Sequence, residues 1–131
     1  MSWRWIDARA LLLLHDESIA EHGGAPGIRD TRLLEAAMSR PLNLAGYGQP
    51  DPADLAAAYG VGLAKNHAFV DGNNRVAFLA FLAIGLFLVL NGHRLVATQA
   101  EATLVMLDVA GSHLDETALA AWLSGHISER R

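Results

Sequence analysis

Fifteen consecutive residues, Val76 to Leu90, are apolar without interruption and carry no charge. Such a run is either a helix enclosed by protein or a membrane span. As a helix it would rise ~22 Å against a hydrocarbon core of ~30 Å. Its flanks, Arg75 on one side and Asn91-Gly92 on the other, do not extend it. The run therefore reads as a buried central helix, not a membrane segment, with the rest of the chain packed around it on every face.

The remaining pattern is helix after helix, with little strand signal. Asp7 can cap a first helix through Leu11, Leu12, Leu14 and Ile19, ending at Gly23-Gly24. Asp30 caps a second, bearing Leu33, Leu34, Ala37 and Met38, and Pro41 is expected to stop it. Leu42 to Pro50 then reads as loop. Asp51-Pro52-Ala53-Asp54 opens a third helix, with Asp51 as cap and Pro52 at the first helical position. That helix runs to about Lys65 and is rich in small residues, and Gly60 and Gly62 suggest close packing. The fourth helix, about Asn73 to Leu90, ends at Asn91-Gly92. His93 to Ala97 reads as a brief extended connection. Thr98 and Glu101 form a capping box for a fifth helix to Ala110. Asp115 caps a sixth, with Leu119, Trp122 and Leu123 inward, fading after Ile127. The expected fold class is a compact all-α, six-helix domain around one apolar helix.

Composition narrows the function. A chain of 131 residues fits one domain, 1–131. With 52% hydrophobic and 18% charged residues, disorder is excluded. A net charge of −4 argues against direct nucleic-acid binding. The absence of cysteine removes disulfides, thiolate metal sites and cysteine nucleophiles. The N-terminal residues do not read as a signal peptide, so a cytoplasmic location is expected.

The chemistry concentrates immediately before the apolar run, in His67-Ala68-Phe69-Val70-Asp71-Gly72-Asn73-Asn74-Arg75. A helix start offers free backbone N–H groups and partial positive charge, which suits phosphate. His67 titrates in the range needed to take a hydroxyl proton near neutrality; its plain alternative is a histidine that fills the loop. Asp71 can hold a hard divalent cation together with phosphate oxygens, or form an ordinary Asp-Gly turn. Gly72, Asn73 and Asn74 can turn successive N–H groups toward an anion. Arg75, in the first helical turn, opposes the helix dipole unless an anion accompanies it, and a guanidinium grips phosphate bidentately. Its alternative is a pair with Asp71. Phe69, alternating with His67 and Asp71, would point into the core.

The order His-x-Phe-x-Asp-Gly-Asn-x-Arg resembles the signature of the Fic/Doc superfamily. Further matches look like its death-on-curing (Doc) branch: His15-Asp16, Gly27-Ile28-Arg29-Asp30, Leu33-Leu34-Glu35-Ala36, Arg40-Pro41, Ala64-Lys65-Asn66-His67, Asn91-Gly92 and Ala121-Trp122-Leu123. The resemblance implies an all-α fold with the motif loop opening the central helix. It also implies the toxin of a type II toxin–antitoxin pair, acting as a protein kinase that moves the γ-phosphate of ATP to a threonine of elongation factor Tu and stops translation. By that resemblance His67 would be the catalytic base and Asp71 would hold Mg2+. Gly72, Asn73, Asn74 and Arg75 would bind the nucleotide's phosphates, and a cognate antitoxin would dock near the site. Two positions depart from the pattern. Ala68 stands where proline is frequent. Asn74 stands where AMP-transferring Fic proteins have glycine and Doc has lysine; it adds donors without charge and takes up volume. Nucleotidyl transfer of AMP, and a weakened binding module, therefore stay open beside phosphoryl transfer.

Overall fold

The computed structural model of the protein describes residues 3–7, 9–11, 13, 17, 31–66, 73–111 and 113–129, with the backbone alone for 31–34, 65–66, 73–79 and 99. Five helices and two short strands follow one another. They are α1 (Thr31–Tyr47), α2 (Pro52–Asn66), α3 (Asn73–Leu90), β1 (His93–Leu95), α4 (Gln99–Ala110), α5 (Glu116–Ser124) and β2 (Ile127–Glu129). Arg9, Ala10, Leu11, Leu13 and Glu17 carry helical backbone ahead of them. Asp7 caps that segment: its Oδ1 accepts from the Arg9 N–H at 2.8 Å, and its carbonyl accepts from Leu11. The expected stop at Gly23-Gly24 and the cap at Asp30 lie outside the described residues.

Helix α1 corrects the expectation at Pro41. The helix does not stop there but continues to Tyr47, with Pro41 in its interior. The span expected as a loop shrinks to Gly48–Asp51. Proline cannot donate to the Ala37 carbonyl four residues back, and its ring crowds that carbonyl. Packing on α2 offsets this. A β-carbon at Gly62 would lie 3.3 Å from both the Cα and the carbonyl oxygen of Ala37. The missing side chain of Gly62 lets α2 lie close against the turn that Pro41 disturbs, and Pro41 itself is buried.

Helix α2 starts as its sequence reads. The Asp51 carboxylate accepts from the Asp54 N–H at 2.9 Å, and the Asp54 carboxylate accepts from the Asp51 N–H at 3.0 Å. This is a capping box with aspartate in the usual glutamate place. From Leu55 to Ala64 every residue is buried, so α2 is enclosed on all sides. Six of those ten residues are alanine or glycine, which is what lets neighbours come so close. A β-carbon on Gly60 would meet Ile84 Cδ1 at 2.7 Å and Leu119 Cδ2 at 3.2 Å, contacts from α3 and α5 together.

Helix α3 has the expected bounds, but its described half is not enclosed on every face. Ala80, Ala83, Ile84, Phe87 and Leu88 are buried, at helical spacing. Phe81, Leu82 and Leu86 are half-buried, and Val89 and Leu90 at its end are exposed. Helix α2 takes up the enclosed position instead. The C-terminus of α3 is closed by Gly92, whose φ of +83° glycine adopts without strain. Asn91 ties that end to the N-terminal segment. Its Nδ2 donates to the carbonyls of Phe87 (2.8 Å) and Arg4 (2.9 Å), and its Oδ1 accepts from the Arg4 N–H at 2.8 Å. Trp3 and Trp5 flank Arg4 and lie against Phe87 at centroid distances of 6.1 and 6.0 Å. The Tyr59 hydroxyl accepts from the Ile6 N–H at 3.1 Å.

The segment after α3 is a true strand. β1 pairs antiparallel with β2, Leu95 opposite Ile127, where the sequence reading has the chain fading out. Helix α4 begins at Thr98, whose hydroxyl accepts from the Glu101 N–H at 3.1 Å and donates to the Glu101 carboxylate at 3.2 Å. Asp115 caps α5 through the Ala118 N–H at 2.8 Å. Leu119 and Leu123 are buried, as the sequence predicts. Trp122 is half-buried instead and stacks on the His126 ring at 4.2 Å.

Candidate active site

Two helices frame the motif. Tyr59 of α2 packs against Phe87 of α3 (centroids 5.3 Å apart), and Gly60 faces Ile84. Partner numbers fall along α3 as they rise along α2, so the helices run antiparallel. Asn66, the last residue of α2, and Asn73, the first of α3, are therefore at the same end of the pair. His67, Asp71 and Gly72 belong to the connection between them and lie outside the described residues, as does Phe69. The possible pairing of Arg75 with Asp71 lies outside them too.

Asn73, Asn74 and Arg75 form the first turn of α3. The first four N–H groups of a helix have no acceptor within it, and these three residues supply most of them. Helices α2, α4 and α5 each carry a carboxylate in the first turn: Asp54, Glu101 and Glu116. Helix α3, like α1, carries none, and has Arg75 in that turn. Its positive end is thus left uncompensated by its own first turn, which is a donor set suited to a phosphate group. Among the described residues no cluster of three or more His, Asp or Glu side chains could hold a metal ion. Asp71 is not one of those residues.

The helix pair is held together by buried contacts away from the motif. Sequence reasoning marked Gly60 and Gly62 as packing glycines, and both are at close approaches. It did not mark Tyr59. That phenol is fully buried in the Trp3–Trp5–Phe87 cluster. Burial raises its pKa above the free value of 10.0, and the hydrogen bond from Ile6 opposes that only in part. No local pattern distinguishes Tyr59 from any other helical tyrosine, because its partners lie 53 residues upstream and on another helix. Arg40, noted only as part of the resemblance, pairs with Glu116 of α5 at 2.6 Å. No helix among the described residues is long and apolar enough to cross a membrane.

An all-α fold, with a short polar motif set between an enclosed helix and the start of an apolar one, is the architecture the Fic/Doc resemblance implies. The sequence model of the Fic/DOC family matches residues 5–84, and the chain belongs to that family. It is 37% identical over 90 residues to a "Protein kinase doc" of Escherichia phage P1, covering 68% of this chain and 69% of the relative. It is 41% identical over 108 residues to a "Toxin Doc" of Mycolicibacterium smegmatis (strain ATCC 700084 / mc(2)155), covering 79% and 80%.

Proposed function

We propose that this chain is the toxin of a toxin–antitoxin pair and transfers a phosphoryl group from ATP to a hydroxyl of a translation protein, with elongation factor Tu the expected target. The observation that carries the reading is the start of α3. The motif's Asn73, Asn74 and Arg75 occupy a helical first turn that carries no carboxylate, where the N–H groups have no acceptor within the helix. The relatives named as a Doc toxin and a Doc protein kinase support the same reading.

In this mechanism the backbone of Gly72 to Asn74 and the Arg75 guanidinium hold the nucleotide's phosphates. His67 takes the proton of the incoming hydroxyl. The hydroxyl oxygen forms a bond to the γ-phosphorus, the bond from that phosphorus to the β,γ-bridging oxygen breaks, and ADP leaves with the electron pair. Asp71 would hold Mg2+, whose charge would offset that of the phosphates. The protein's own part is positioning and charge neutralisation. A cognate antitoxin would restrain the activity.

Asn74 favours a second reading, transfer of AMP by the same residues, because it lacks the lysine charge and fills less space. Intact-mass analysis of elongation factor Tu after incubation with the protein, ATP and magnesium separates them: a phosphoryl group adds ~80 Da and an adenylyl group ~329 Da. A target that gains neither mass refutes both as applied to that target.

A further inference from the structure

α1 and α5 both pack on α2, and they leave a groove between them. On the α1 side the wall is Ala36, Arg40, Leu44 and Tyr47, spaced three and four residues apart along one face. On the α5 side it is Glu116, Ala120 and Ser124, again one face. Val61 and Gly62 of α2 form the floor. Two neighbouring cavities, about 850 Å3 and about 400 Å3, make up the groove and share Leu44 and Glu116 in their linings. The Arg40–Glu116 ion pair crosses it. Ala36 to Tyr47 spans ~16 Å as helix, the length of about ten helical residues.

The lining settles what kind of segment fits. Tyr47 at the rim is 86% exposed and Leu44 is half-buried, so an apolar face has somewhere to land. The charged lining residues are Asp51, Asp54, Asp115, Glu116 and Arg40. Arg40 is matched by Glu116, which leaves three carboxylates without a cation among the described lining residues. Asp51, Asp54 and Asp115 are helix caps, and each uses one oxygen on a backbone N–H. The second oxygen of each has no partner among the described residues. The Gly62 end of the groove lies about one helical turn before Asn66, where α2 gives way to the motif.

We infer that this groove docks a basic amphipathic helix of about ten residues, carried by the protein whose hydroxyl is modified. Lysine or arginine on one face would meet Asp51, Asp54 and Asp115, and apolar side chains on the other would meet Leu44, Tyr47 and Val61. A segment seated there runs alongside α2 toward the motif. The assignment to the substrate rests on the proposed transferase activity; the groove and its charge do not.

The probe is a fluorescein-labelled helical peptide with leucine on one face, lysine on the other and a serine at one end. Its control has glutamate for every lysine. Anisotropy is read without nucleotide, so a failure of catalysis cannot affect it. The full chain should bind the lysine peptide and not the glutamate peptide. Combined Asp51→Asn, Asp54→Asn and Asp115→Asn, which keeps capping side chains, should weaken binding about tenfold, mainly at low salt. Tyr47→Ala, at an exposed rim position, should also weaken it and leaves folding intact. No binding, or equal affinity for wild type and both variants, overturns the groove. With ATP and magnesium added, the bound serine peptide should gain mass faster than its glutamate control. Binding with no gain in mass overturns the substrate assignment.

Discussion

Asn91→Ala should loosen the N-terminal segment from the end of α3. Three hydrogen bonds disappear: from Nδ2 to the carbonyls of Phe87 and Arg4, and from the Arg4 N–H to Oδ1. At roughly 0.5–1.5 kcal/mol net for each bond, and discounting for the half-buried position, the loss is about 2 kcal/mol. The helix itself keeps its end, because the Asn91 N–H still reaches the Phe87 carbonyl at 3.2 Å and Gly92 keeps its positive φ. Asn91→Asp should cost at least as much, since it sets a carboxylate against two carbonyl oxygens. The assay is urea unfolding followed by far-UV circular dichroism, with tryptophan emission read in parallel. Trp3 and Trp5 lie beside Arg4 and against Phe87, so emission should shift to the red in native buffer. A loss below about 0.5 kcal/mol, or an unchanged emission maximum, would refute the latch.

Gly62→Val should destabilise by about 3 kcal/mol or prevent folding, because its β-carbon would press on the Ala37 backbone, which cannot rotate away; a melting point equal to wild type would contradict this. Gly60→Ala should cost less, since the nearest atom is the end of the Ile84 side chain, and the two melting curves read together test the difference. Raising the pH should weaken the fold through Tyr59. Its folded pKa is raised by burial, so its contribution is fully present below the unfolded value of 10.0 and is lost as pH rises through the folded value. Tyr59→Phe should remove that alkaline dependence while sacrificing the bond from Ile6, and unfolding at several pH values measures both. His67→Ala should abolish growth inhibition on expression; undiminished inhibition would favour a binding module without catalysis.

The parts of this fold that were legible in the sequence are those with local causes. The bounds of α3 followed from the uninterrupted apolar run and from Asn91-Gly92, and the starts of α2, α4 and α5 from capping residues that close hydrogen bonds within three positions. The misreadings have long-range causes. Pro41 is a stop signal in an isolated helix, and here the helix continues through it while packed closely on another helix at Gly62, 21 residues on. The pairing of Leu95 with Ile127 joins two three-residue strands across two helices, too short for any alternating pattern to stand out. Helix α3 has apolar residues all round, so its sequence could not say which face the core takes; the enclosed helix proved to be the alanine-rich α2. For the motif, the place of Asn73 to Arg75 at a helix start was readable, because a polar segment before an apolar run can hardly be elsewhere. Which side chains converge on a nucleotide is a tertiary question, and residue order alone does not answer it.

The central claim, that the start of α3 holds a nucleotide's phosphates, is tested most directly by titrating the isotope-labelled protein with ATP and magnesium while following backbone amide resonances. The largest shifts should fall on Gly72, Asn73, Asn74 and Arg75, and should persist in His67→Ala, which removes the base but not the anion site. Nucleotide binding that leaves those amides unmoved, or no binding at millimolar ATP, would contradict the account.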